Sequence, residues 1–269
     1  MNKPYFSATQ LSMYYRCAMQ YMFRYEEGLR IQPPVVFIVG GSFHACGEAD
    51  LRNVIVTGSL LDTQLLLDMA RDSVNNRWDE EGVALDEAEK KAGEKKVRGA
   101  AVDTTIRLAA THHSRLAPYI KPAYVEREWL LEIDGYPYDL KGYIDVQETP
   151  GTLPVGRVRE LKSAGKKPSD TAQEELIQLT AYAAAVNVLD GAYPEIIVDY
   201  VTKAKEPEIY SRRVERGPDD VKGLLMMIET LTLAKERGLF PPTGLGKWYC
   251  GDRCGYSKTK CKYYRRGSK

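Results

Sequence analysis

Three charged side chains raise the question of chemistry. In RVRELKSAGK, residues 157–166, Glu160 and Lys162 stand either side of Leu161, and Asp145 precedes them in YDLKGYIDVQE. Side chains two apart on an extended strand point the same way, so Glu160 and Lys162 share a face and Leu161 takes the other. In DLKGYIDV, Asp139, Lys141, Tyr143 and Asp145 share one face, while Leu140, Gly142, Ile144 and Val146 share the opposite one. The intervening QETPGTLPVG is rich in turn residues and can fold the chain back, which predicts an antiparallel pair with Asp145 beside Glu160. Two carboxylates so placed can hold magnesium or manganese, with the Leu161 backbone carbonyl as an additional oxygen ligand. The matching reaction is phosphodiester cleavage, in which the cation polarises the phosphate and lowers the pKa of an attacking water. Lys162 would orient that water, stabilise developing negative charge or assist proton transfer. The plainer alternative is alternating strand charge that keeps one sheet face wet, and an E-x-K triplet alone does not separate the two.

These side chains need elements to position them. Residues 8–27 read as a helix with Leu11, Tyr15, Met19 and Met22 along one stripe, followed by Pro33–Pro34 and the apolar run VVFIVGG. A helix resumes in SFHACGEADLRNVIV, with Ser42 near its start, and further helices are expected over 59–78 and 84–110, divided near Glu81–Gly82. From residue 122 the pattern changes to β-branched and aromatic runs, AYVEREWLLEI, YPYDLKGYIDV and VGRVREL, separated by DG and ETPGTLP. Residues 169–189 return to helical spacing with Ser169 or Asp170 as a cap, EIIVDYVTK is a strand, and 218–237 a helix. The economical arrangement is an α/β fold, a small mixed β-sheet flanked by helices with an N-terminal helical elaboration. Residues 1–269 are expected to form a single domain, with 1–121 mainly helical, 122–240 the catalytic sheet and its helices, and 241–269 a cysteine-rich basic tail.

The 38 basic and 37 acidic residues leave a formal charge of +1, which neither demands nor excludes a nucleic-acid partner. No long apolar run suggests a signal peptide or a membrane span, so a cytoplasmic location without membrane association is expected. In such a setting the five cysteines point to buried thiols or metal ligation before disulfides.

Four ordered motifs now converge. FSATQLSMYYRC, GGSFHACGE, GYIDV with RELKSAGK, and QLTAYA together resemble the PD-(D/E)XK nuclease superfamily, and within it the RecB-like and Cas4-like exonucleases. The resemblance spans nearly the whole chain. It implies a restriction-endonuclease-like core and a metal-dependent DNA exonuclease serving recombination, repair or processing. It also implies His44 as a metal ligand beside Asp145 and Glu160, and Gln178 with Tyr182 as a substrate-positioning pair near the catalytic Lys162. Gln178 and Tyr182 are four apart and share one helix face.

WYCGDRCGYSKTKC adds Cys250, Cys254 and Cys261, and the resemblance implies that Cys17 joins them around a [4Fe–4S] cluster, leaving Cys46 as a core residue. Zinc is the alternative occupant. The spacing here is C-x3-C-x6-C, each gap one residue longer than the family's common C-x2-C-x5-C. Arg253, Lys258, Lys260, Lys262, Arg265, Arg266 and Lys269, interleaved with Tyr249, Tyr256, Tyr263 and Tyr264, suggest a rim that attracts DNA phosphates and stacks on bases. The substrate is expected to be single- or double-stranded DNA, with a helicase, recombination or CRISPR-adaptation partner and an oligomer compatible with the chain. No G-x-x-x-x-G-K-[ST] loop is present, so ATP-driven unwinding is not expected. The competing functions are a structure-selective endonuclease and a weakly catalytic DNA-binding or adaptation protein on the same fold.

Overall fold

The computed structural model describes residues 3–173, 176–247, 249–250, 254–257 and 260–263. A short strand, β1 (Tyr5–Phe6), leads into α1 (Ala8–Arg16). A reciprocal cap closes the first turn of α1, with Gln10 N–H donating to Ser7 Oγ and Ser7 N–H donating to Gln10 Oε1. The single helix expected over 8–27 is interrupted at Cys17, whose backbone is extended. There the Ala18 N–H leaves the helical ladder and donates to Thr243 Oγ1 at 3.1 Å. Helix α2 (Ala18–Tyr21) and one wide turn, Met22–Glu26, follow.

Helix α3 (Val35–Thr57) starts immediately after Pro34 and absorbs the whole apolar run before Ser42. Ser42 is therefore buried in the helix interior and not near its start. The β-branched residues of that run favour a strand locally. Tertiary packing overrides this preference, because Ile38, Val39 and Phe43 share a core with Val74, Trp78 and Leu108. That partner surface comes from α4 (Thr63–Glu81) and α6 (Glu94–Arg115), which precede the main strands together with the short, unburied α5 (Glu87–Ala92).

The remaining elements are β2 (Pro122–Leu131), β3 (Asp139–Glu148), β4 (Val158–Ala164), α7 (Ile177–Asp190), β5 (Ile196–Thr202), β6 (Ile209–Val214) and α8 (Pro218–Arg237). Helix α7 begins eight residues later than its expected start, and Ser169 and Asp170 lie in the turns ahead of it. The sheet runs β1-β3-β4-β5-β6, with β2 pairing β3. The β1–β3 and β4–β5 pairs are parallel and the others antiparallel. This is the expected α/β fold, a mixed sheet flanked by helices with a helical N-terminal elaboration.

Alternation along β5 shows both faces covered. Ile196, Val198 and Tyr200 join the core under α7 and α8, whereas Val201 joins the core under α3, α4 and α6. No helix among the described residues is long and apolar enough to cross a membrane.

Candidate active site

The site begins with an interruption in one edge of β3. At one end that edge is taken by β1, which pairs Tyr5 with Asp139 and Phe6 with Leu140. At the other end it is taken by β4, which pairs Val146 with Arg159 and Gln147 with Val158. Between them, among the described residues, positions 141–145 have no strand partner on this side. The β4 backbone reaches a side chain there instead, as Leu161 N–H donates to Asp145 Oδ2 at 3.1 Å. Continuing the β3–β4 register by one residue sets Asp145 across from Glu160.

Tyr182 of α7 ties the two acids together. Its hydroxyl lies 3.0 Å from Asp145 Oδ1 and 2.8 Å from Glu160 Oε2, and Gln178 Nε2 donates to it at 2.6 Å. One hydroxyl has a single proton, so it donates to one carboxylate at a time. Lys162 forms an ion pair with Glu160 and donates to Gln178 Oε1 at 3.2 Å. The Tyr182 ring is only 1% exposed, so it packs in the core and presents its hydroxyl alone to the site.

Helix α3 supplies the opposite wall. His44 Nε2 lies 2.7 Å from Asp145 Oδ2, and its Nδ1 lies 3.6 Å from Glu126 Oε1. Gly47, one turn further on, allows this approach, since a Cβ there would stand 2.8 Å from Leu161 Cδ2. His44, Glu48 and Glu126 also bring ligand atoms within 4.8 Å of one another, close enough to share a cation. Neither glutamate was singled out from the sequence. Glu48 had a local signal, one helical turn after His44 on the same face. Glu126 had none, because it comes beside Asp145 only through the β2–β3 register, in which Val125 pairs Val146 and Arg127 pairs Ile144.

Negative charge is concentrated here beyond what its protein partners neutralise. Burial and then the charge of Asp145 push Glu160 up to about 7, despite relief from Lys162 and Tyr182. Burial also opposes ionisation of Asp145, but the hydrogen bond and charge of His44 hold its carboxyl below the usual range. For His44, burial alone would lower the pKa, yet the hydrogen bond to Asp145 and the charges of Asp145, Glu126 and Glu160 raise it to about 9. Burial and the same Asp145 charge raise Glu126. All these residues border one open cleft of about 830 Å³, which also receives Lys162, Gln178 and Tyr182.

Comparison with known proteins decides the family. The model of the PD-(D/E)XK nuclease superfamily matches residues 5–261. The chain belongs to the PD-(D/E)XK nuclease superfamily. Among solved structures, a candidate exonuclease from Eubacterium rectale is similar at 14% identity and a TM-score of 0.58, over 99% of this chain and 92% of that one. At that identity the likeness concerns the fold. No curated protein matches the sequence.

Membership in the superfamily corrects two narrower expectations. The match is to the superfamily and does not extend to the RecB-like and Cas4-like branch. The [4Fe–4S] cluster expected from that branch, and the zinc alternative, are overturned as well. Cys17, Cys250, Cys254 and Cys261 border one small cavity, of about 20 Å³. However, the only group of three or more histidine, cysteine or acidic residues with ligand atoms close enough to share an ion, among those described, is His44, Glu48 and Glu126. Cys254 Sγ accepts a hydrogen bond from Gln20 Nε2 at 3.1 Å, and the cavity is small and largely apolar, walled also by Met19 and Phe23. Each gap between the C-terminal cysteines is one residue longer than the motif that suggested the cluster. The expected basic rim falls partly outside the described residues, including Arg253, Lys258, Tyr264, Arg265, Arg266 and Lys269. Within them, Tyr256 is buried and donates to the Leu29 carbonyl at 2.8 Å, so its ring is not available to stack on a base.

Proposed function

We propose that this superfamily member is a divalent-metal-dependent deoxyribonuclease that degrades DNA as an exonuclease. The observation that carries this reading is the convergence of buried Asp145 and Glu160 with Lys162 where β3 and β4 part. The donor set suits a hard cation. Carboxylate oxygens of Asp145 and Glu160 face each other with the His44 imidazole alongside, and a divalent ion would offset the burial and the Asp145 charge that together raise Glu160. Bound there, magnesium or manganese supplies positive charge to the scissile phosphate and acidifies a water. His44, Glu48 and Glu126 would be the residues to hold a second cation.

The protein's own groups then divide the remaining tasks. Burial lowers the pKa of Lys162, but the Glu160 and Asp145 charges outweigh it and hold the ammonium above its usual range. Its ammonium is placed to donate to a phosphate oxygen or to the attacking water. Gln178 fixes the direction of that ammonium, and the Tyr182 hydroxyl keeps its proton and steadies the two acids. The exonuclease form of the reaction is supported only by the sequence motifs and by the description of the similar solved structure.

The test is cleavage of end-labelled linear DNA and covalently closed circular DNA, with and without magnesium or manganese. Metal-dependent loss of the linear label with the circle intact is expected, and Asp145→Asn and Glu160→Gln should abolish it. Undiminished cleavage after rigorous chelation, or by either variant, would remove the reading. Cleavage of the circle would replace exonuclease with endonuclease action.

A further inference from the structure

The cleft has features that metal chemistry leaves unexplained. Its α3 wall carries Phe37, Gly40, Gly41, His44 and Glu48, spaced so that one helix face presents them in sequence. Phe37 is 64% exposed, an unusual position for a phenylalanine that joins none of the ring pairs found among the described residues. On the facing wall, Tyr5 and Tyr143 are each about half exposed, 51% and 47%. Phe37 thus shares one cleft with two part-exposed tyrosine rings, one of which, Tyr5, has the Lys141 ammonium 5.5 Å from its centre. On this face, between Phe37 and His44, the helix carries no side chain: Gly40 faces Ser163 Oγ, 3.6 Å from where a Cβ would stand, and the Arg77 guanidinium packs against Gly41. Phe37 and His44 are seven positions apart, which is about 10 Å along the helix axis.

A cation completes the pattern. Lys203 follows directly on β5, and its N–H donates to the Ala164 carbonyl at 2.8 Å, which places it beside the end of the strand bearing Lys162. It borders the same cleft, and among the described residues no carboxylate pairs with it. Burial without such a partner lowers its pKa. A half-buried ammonium lacking a protein counter-ion is suited to an anion arriving from solution.

We propose that the cleft takes single-stranded nucleic acid, with an unpaired base stacked on Phe37 and a neighbouring phosphate held by Lys203. This rests on the nuclease reading for the identity of the ligand, but concerns which form of it enters. In a duplex each base face is covered by the next base, so exposed rings gain little from it. An unpaired base offers a free π-face, and the stacking tolerates any sequence. Gly40 leaves this face of α3 without a side chain between Phe37 and His44, on the path of the strand toward Asp145.

The test is anisotropy binding of a labelled oligothymidylate and of a blunt duplex of equal length, in calcium buffer across a salt series. The full chain should bind the single strand more tightly. Phe37→Ala should weaken that binding about 5- to 150-fold with an unchanged salt slope. Phe37→Tyr should bind as the original does. Lys203→Ala should reduce the salt slope by about 0.7. Thermal melts of each variant exclude loss of fold, for which the exposure of Phe37 gives no reason.

Tighter duplex binding, or an unaffected Phe37→Ala, overturns the proposal. So does a dimer that Phe37→Ala converts to a monomer while oligonucleotide binding stays the same, since the ring would then be a contact between copies. Cleavage is scored separately. Single-strand binding as expected, with no cleavage of either DNA in any metal, would leave this proposal standing and remove the nuclease activity. Cleavage of duplex alone would do the reverse.

Discussion

Tyr182→Phe removes one oxygen from the centre of the site and leaves the buried ring in place. The hydroxyl donates to Asp145 or Glu160, at 3.0 and 2.8 Å, and accepts from Gln178 at 2.6 Å. A hydrogen bond to an ionised acceptor contributes about 1.5–3 kcal/mol. Gln178 borders the open cleft and can turn its amide to water, so little is added for its lost partner. In chelator the variant should therefore lose about 2 kcal/mol, read as a denaturant midpoint shift or a melting temperature lower by roughly 4–8 °C. In saturating manganese the loss should shrink, because a cation between the carboxylates relieves the repulsion that the hydroxyl proton otherwise offsets. A loss below about 0.5 kcal/mol in chelator would show that the hydroxyl does not hold the acids together. An equal loss with and without manganese would show that the two carboxylates do not share an ion.

Three further outcomes follow from the same geometry. Lys162→Met should retain its fold and metal dependence yet cleave DNA about 100- to 1,000-fold more slowly, in single-turnover assays. Gly47→Ala would set a Cβ 2.8 Å from Leu161 Cδ2, so unfolding titrations should show a loss of about 1–3 kcal/mol, and calorimetry about tenfold weaker manganese binding as His44 shifts. His112 is held down to about 4 from the ordinary 6.5, first by burial and then by His113, His44 and Arg159. The unfolded chain thus binds this proton more readily, so its contribution is complete above pH 6.5 and is lost as pH falls toward 4, by about 3 kcal/mol. His112→Gln should flatten that slope in urea titrations taken across the same pH range.

Some of this protein is written locally. Alternation through DLKGYIDV and RELK marks two strands and the faces of their charges, because side-chain direction on a strand depends only on position parity. Pro218 and Gly238 bracket α8, which matches its expected range of 218–237. The strand-like VVFIV at the start of α3 shows where such reading stops, since packing against α4 and α6 outweighs the preference of the segment itself. Two strands, β1 and β6, were too short or too polar to stand out in the sequence. The same holds for the cysteines, whose suggestive order along the chain does not bring three sulfurs within reach of one ion.

The sequence alone determined the α/β class and the ordered motifs of a nuclease superfamily, since periodicity and motif order survive without knowledge of contacts. Only the tertiary structure decided that β1 and β4 leave a gap along β3, that Asp145 fills it, and that Glu48 and Glu126 join His44 there. Those features depend on groups tens to more than a hundred residues apart meeting at a few ångströms, and on the strand register that sets Glu126 beside Asp145. Neither condition leaves a trace in local spacing, because both are set by how packed layers close on one another.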